Sequence, residues 1–219
     1  GFTAAMVAQR IEDAGLGDAE AFLGWVRDPA NVAALGIEGD SLEGYLFPET
    51  YRLPRGLSPG EIARIFLDQF RTVWKELVAG TSSKSRSMRE VVILASIVEK
   101  ETGVERERPL IAAVFLNRLE RGMRLETDPT VIYGMPDFDG NLRRRDLENP
   151  DNPYNTYRIP GLPPGPIANP GRGSLEAVLH PADVGYLYFV SRNDGTHRFS
   201  NTYREHQLAV NEYQKRRSP

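Results

Sequence analysis

Apolar residues recur at helical spacing over most of this chain, and the breaks in that spacing divide it. Met6, Val7, Ile11 and Ala14 fall on one stripe of a pattern running from Thr3 to Ala14. A second helical pattern runs from Asp18 to about Arg27, ahead of Asp28-Pro29. These two predict a helical lead-in over residues 1–40, with the main domain over 41–219. Residues 42–56 (LEGYLFPETYRLPRG) alternate aromatics with Gly, Pro and carboxylates, which predicts extended structure with turns. From Ser58-Pro59 a helix continues to about Ala79 with Ile62, Ile65, Phe66, Phe70 and Val73 on its apolar side, and a polar loop spans Gly80 to Arg86.

The central pattern is the most sharply bounded. Ser87 and Glu90 have capping-box spacing, the apolar run Val91 to Val98 follows, and Gly103 stands where a C-terminal cap is expected. A second helix begins around Glu105 to Pro109 and runs through Ile111, Val114, Phe115 and Leu119 to Gly122, completing an αα-hairpin. Residues 149–172 hold too many Pro and Gly for a helix or an interior strand, while Tyr154, Tyr157, Ile159 and Leu162 predict a loop packed along a cleft. After a short helix from Ser174 to Leu179, YLYFVS and THRFSN flank an Asp194-Gly195 turn, which predicts a β-hairpin, and a last helix spans about Tyr203 to Lys215. The predicted class is α+β and helix-rich.

Composition narrows the function. The 219 residues carry a formal net charge of -3, so no field strong enough to capture nucleic acid or anionic lipid follows from the whole. Cysteine is absent, which removes disulfides, thiolate nucleophiles and thiolate zinc sites. The apolar run at 91–98 is too short to span a bilayer. The start has no basic segment of a signal peptide, which suggests a fragment of a longer protein.

Glu99-Lys100-Glu101 emerges from the apolar helix, and carboxylates two residues apart on a helix point roughly 200° apart, so at most one serves a given site. Glu101 lies in the last turn, sharing a face with Leu94 and Ile97/Val98. Unpaired carbonyls and apolar neighbours there favour a raised pKa, as a general acid requires. The alternative is a pair of solvated helix-end carboxylates, or partners for Arg106 and Arg108. Hydrolases that use paired carboxylates would need a second one, and Glu43, Glu49, Asp128 and Asp146 are candidates, although each could equally cap a helix or brace a turn. His180, His197 and His206 stand 17 and 9 residues apart, matching no helical zinc spacing, so no metal is expected. No phosphate loop or nucleophile elbow is present, and Ser96 reads as a packed small residue. Tyr45, Phe47, Tyr51, Tyr133, Tyr154, Tyr157 and Tyr188, mixed with Asn117, Arg118, Asn155 and Asn169, suit a sugar-binding cleft or an ordinary core.

The segments EGYLFPETY (43–51), ASIVEKET (95–102), VFLNRLERGMRLETDPTVIYG (114–134), YNTYRIPGLPPGPIANPG (154–171), HPADVGYLYFV (180–190) and HRFSNTYREH (197–206) together resemble the YceG-like, or MltG-type, endolytic murein transglycosylases. The resemblance implies cleavage of the β-1,4 bond between N-acetylmuramic acid and N-acetylglucosamine within a glycan strand, leaving a 1,6-anhydro end. It maps the catalytic carboxyl to Glu101 and puts Glu43, Glu49, Asn117, Arg118, Asp128, Tyr133, Tyr154, Asn155 and Asn169 at or near the glycan cleft. It implies no cofactor. Peptidoglycan strands would be the partner, together with penicillin-binding synthases of the elongation or division machinery. The site of action would be the outer side of the plasma membrane, anchored by a transmembrane helix absent from this chain. Three rivals remain at this point: a glycan-binding scaffold module without turnover, a hydrolytic muramidase, and a pyridoxal phosphate lyase, for which no phosphate-cradling loop is seen.

Overall fold

The most buried helix is the one that the sequence bounds most sharply. The computed structural model describes residues 1–79 and 86–215, so all but Arg86 of the polar stretch read at Gly80 to Arg86 lies outside the described residues. Ten α-helices are described: α1 (Ala4–Asp13), α2 (Ala19–Val26), α3 (Pro29–Ala34), α4 (Pro59–Val78), α5 (Met88–Glu101), α6 (Arg108–Glu120), α7 (Asp128–Tyr133), α8 (Arg144–Glu148), α9 (Arg172–Leu179) and α10 (Tyr203–Val210). A 3-10 turn, Glu105–Glu107, leads into α6, and a π-helical turn, Asn211–Lys215, extends α10. Ser87 caps α5 through its hydroxyl while Glu90 reaches back to the Ser87 N–H, and every residue from Val91 to Val98 is buried. α6 and α9 pack against α5 and supply Ile111, Phe115, Leu175 and Val178 to one continuous core.

Strands β1 (Tyr188–Ser191) and β2 (His197–Ser200) pair antiparallel, with Tyr188 opposite Ser200 and Ser191 opposite His197. Asn193 and Gly195 take the left-handed φ values of 64° and 87° that the tight turn between them needs. Helices, a two-stranded hairpin and an ordered Pro/Gly-rich loop make this an α+β fold, as the pattern predicts.

Local details differ from the sequence reading. α1 buries Ala4, Ala8 and Ile11, while Met6 is 45% exposed and Ala14 is also exposed. The helix is rotated because the Ala4 N–H is held by both carboxyl oxygens of Glu43 at 2.9 Å. The chain leaves α5 through an extended Thr102, whose hydroxyl accepts from the Val104 N–H at 3.0 Å, so Gly103 supplies no left-handed cap. Short helices α3, α7 and α8 were not separable from turns by period. The 42–56 segment is irregular as expected but is buried from Leu42 to Phe47. Gly44 there has φ 91°, and an added Cβ would meet Pro166 and Val92 side chains within 2.7 Å. The 149–172 loop presses on α5 through Ile167, whose N–H donates to Ser96 Oγ at 3.0 Å.

Candidate active site

The two carboxylates at the end of α5 part ways as their helical angle requires. Glu99 turns to the start of α9, accepting from Ser174 Oγ at 2.6 Å and the Gly171 N–H at 3.2 Å, with the Gly1 ammonium at 3.2 Å. Burial pushes its carboxyl up, but these donors outweigh it and leave the pKa lowered. Glu101 faces a separate cavity of about 340 Å³ built by α5, α6, α7, the 154–158 stretch, both strands and α10. Burial is the main cause that raises its pKa to about 7; the Thr127 hydroxyl, which donates to Glu101 Oε1, works against it, Asp128 raises it further and His197 lowers it. A carboxyl poised near 7 can both give and take a proton at neutral pH.

Thr127 is buried just before α7, its own N–H donating to Thr156 Oγ1 at 3.1 Å, so its hydroxyl is fixed toward Glu101. Asp128 is the first residue of α7, but its carboxylate accepts from Tyr157 OH at 2.7 Å instead of capping the helix. Arg118 lines the cavity and is heavily tied. It donates to the carbonyls of Leu187 (2.7 Å) and Leu125 (2.7 Å), pairs with Glu126 at 3.2 Å, and lies 5.2 Å over the Tyr188 ring.

The structure thus brings Arg118, Asp128 and Tyr157 to the Glu101 cavity, and places Glu43, Glu49, Asn117, Tyr133, Tyr154, Asn155 and Asn169 elsewhere. Glu43, Tyr133 and Asn169 form a buried network. Asn169 Nδ2 donates to Glu43 Oε1 at 3.0 Å, Tyr133 OH to Glu43 Oε2 at 3.2 Å, and Asn169 Oδ1 accepts from the N–H groups of Gly44 and Leu46. Tyr154 packs edge-on to Tyr133 at 4.9 Å. Asn117 donates to the carbonyls of Val184 and Tyr186, and fully buried Asn155 to those of Leu147 and Asn149, so the first amide ties a loop to α6 and the second ties one to the end of α8. Glu49 is exposed beside a different, more apolar cavity under α1. Thr127, Glu126, His197 and His206 line the Glu101 cavity without having been singled out as site residues. Thr127 sits in a short turn with no period to mark it, and His197 gains its meaning from contacts about half a chain away. Among the described residues no group of three or more His, Asp or Glu could hold a metal ion.

The model of the YceG-like family matches residues 1–212. The chain belongs to the YceG-like family. Within that family it is 39% identical over 173 residues to an endolytic murein transglycosylase of Bacillus subtilis (strain 168), covering 78% of this chain and 48% of the relative. It is 30% identical over 215 residues to an endolytic murein transglycosylase of Streptococcus pneumoniae serotype 2, covering 89% of this chain and 39% of the relative. The YceG-like chain therefore spans about half or less of these relatives' length. A crystal structure of a yceG-like protein of Listeria monocytogenes superposes with a TM-score of 0.82 at 33% identity, covering 95% of this chain and 73% of the other.

Proposed function

We propose that this chain carries the catalytic centre of an endolytic lytic transglycosylase acting on peptidoglycan, with Glu101 as its acid and base. The observation that carries the reading is the Glu101 carboxyl at the end of a buried helix, facing a cavity and held by the Thr127 hydroxyl, with burial raising its pKa to about 7. Two relatives described above are named endolytic murein transglycosylases, which supports the reading. Protonated Glu101 gives its proton to the glycosidic oxygen as the bond to the muramoyl C1 breaks. The muramoyl C6 oxygen bonds to C1, and the proton it loses restores Glu101, so no water enters. Because murein lies outside the plasma membrane, the reading extends to action on that side. We extend the reading to an anchoring segment outside this chain and to synthase partners. Among the described residues no helix is long and apolar enough to cross a membrane.

Asp128 favours one second reading, because its carboxylate opens on the same cavity and hydrolases use such pairs. The products separate the two. Mass spectrometry of sacculi digested by the wild type should show 1,6-anhydro ends that resist borohydride, and Glu101→Gln should release none. Reducing ends instead would establish hydrolysis, and equal activity in Glu101→Gln would remove Glu101 from the mechanism.

A further inference from the structure

β2 opens with His197, and its ring lines the same cavity as Glu101. That ring is gripped from behind. Its Nδ1 lies 2.7 Å from Glu107 Oε2, and the backbone N–H of His197 donates to Glu107 Oε1 at 3.0 Å. Both side chains are nearly closed off, at 11% and 7% exposure. Phe189 meets the imidazole edge-on at 5.4 Å and limits its tilt. Glu107 ends the 3-10 turn that follows α5, so one short link carries both the acid and the anchor of the imidazole. A carboxylate accepts hydrogen bonds, so the tautomer with its proton on Nδ1 fits Glu107 and leaves a lone pair on Nε2, on the other side of the ring. A carboxylate that fixes a histidine tautomer beside an acid is the arrangement that activates a hydroxyl.

Resting on the transglycosylase reading, we propose that His197 is a second catalytic residue, positioned by Glu107, whose Nε2 takes the proton from the muramoyl C6 hydroxyl as that oxygen attacks C1. The bonds balance. Glu101 protonates the leaving oxygen and the C1–oxygen bond to the next sugar breaks. The C6 oxygen bonds to C1 while its proton moves to Nε2. The imidazolium, neutralised by Glu107, then returns that proton to the Glu101 carboxylate across the cavity both line, so both groups end as they began.

The test uses the 219-residue chain on purified glycan strands, together with 15N NMR of its histidines. His197→Gln should lower kcat on the order of 100-fold with KM nearly unchanged, the loss expected for a missing acid/base group. Glu107→Gln should lower kcat in the same direction. In the neutral wild-type ring NMR should find Nδ1 protonated and Nε2 bare, and in Glu107→Gln a proton should appear on Nε2. A wild-type ring protonated on Nε2 alone overturns the proposal, and needs no variant to fold. Anhydro ends formed equally fast by wild type and His197→Gln overturn this role alone. Absence of anhydro ends from the wild type overturns the transglycosylase reading and this role with it.

Discussion

Thr127 donates to Glu101 and thereby favours the ionised carboxyl, against the burial and the Asp128 charge that oppose ionisation. Thr127→Val keeps the shape and the backbone bond to Thr156 but removes that hydroxyl. Glu101 must be protonated to act as the acid, so activity should fall as pH rises through about 7. In Thr127→Val that fall should move to higher pH. The other titratable and charged side chains lining the cavity, Asp128, Glu126, Arg118, His197 and His206, are unaltered. A pH–rate profile of kcat checks this, and an unmoved or downward-moved limb contradicts it. A second residue makes an opposite kind of prediction. Tyr45 is 1% exposed, packs edge-on to Phe70 at 5.1 Å, and its hydroxyl has no hydrogen-bond partner among the described residues. Tyr45→Phe keeps the ring contact and removes the orphaned group, so it should raise stability by roughly 1 kcal/mol. Denaturant unfolding showing a clear loss would mean the hydroxyl is satisfied.

Within the core, a hydroxyl joins α5 to the Pro/Gly-rich loop. Ser96, fully buried, donates to the Ile93 carbonyl at 2.7 Å and accepts from the Ile167 N–H at 3.0 Å. Ser96→Ala leaves that loop N–H buried without a partner and should cost about 1–3 kcal/mol. Hydrogen exchange should quicken at Ile167 first, and protection equal to wild type would show that this hydrogen bond does not hold the loop. The sequence reading of Ser96 as a small packed residue was half of this, because period reveals burial but not the partner. The same limit runs through the chain. The start of α5, the ends of α6 and the hairpin were legible since caps, proline and Asp194-Gly195 act locally. The angle between Glu99 and Glu101 was legible too, being fixed by helix geometry. What was not legible joins distant segments: Glu43 to Ala4 and Asn169, Glu107 to His197, Thr127 to Glu101. Asn117 and Asn155 have the chemistry of sugar ligands and spend it on loop carbonyls, a choice that only tertiary packing makes.

Across the whole molecule, Glu43 binds three regions that are far apart in sequence: the start of α1, the end of α7 and the loop before α9. It is 3% exposed, and burial, opposed by the Ala4 N–H and then Tyr133, raises its pKa to about 7. The folded state therefore holds this proton more tightly than the unfolded chain does. The stabilisation is fully present below about pH 4.5 and is lost as pH rises through about 7. The shift corresponds to about 3 kcal/mol at most. Glu101 drives stability in the same direction, since its pKa is raised to a similar value. Glu43→Gln can keep an oxygen toward Ala4 and Asn169 and turn its amide to the Tyr133 oxygen, imitating the protonated acid. Thermal unfolding of this variant between about pH 5 and 8.5 should show a shallower decline of Tm than the wild type, and Glu43→Gln with Glu101→Gln a shallower one still. Amide protection in the core should fall with pH in the wild type more than in Glu43→Gln, because ionising the buried carboxyl lowers the stability of the folded state. Parallel Tm curves for wild type and Glu43→Gln would show that Glu43 ionises without cost, and that its network is supported from elsewhere.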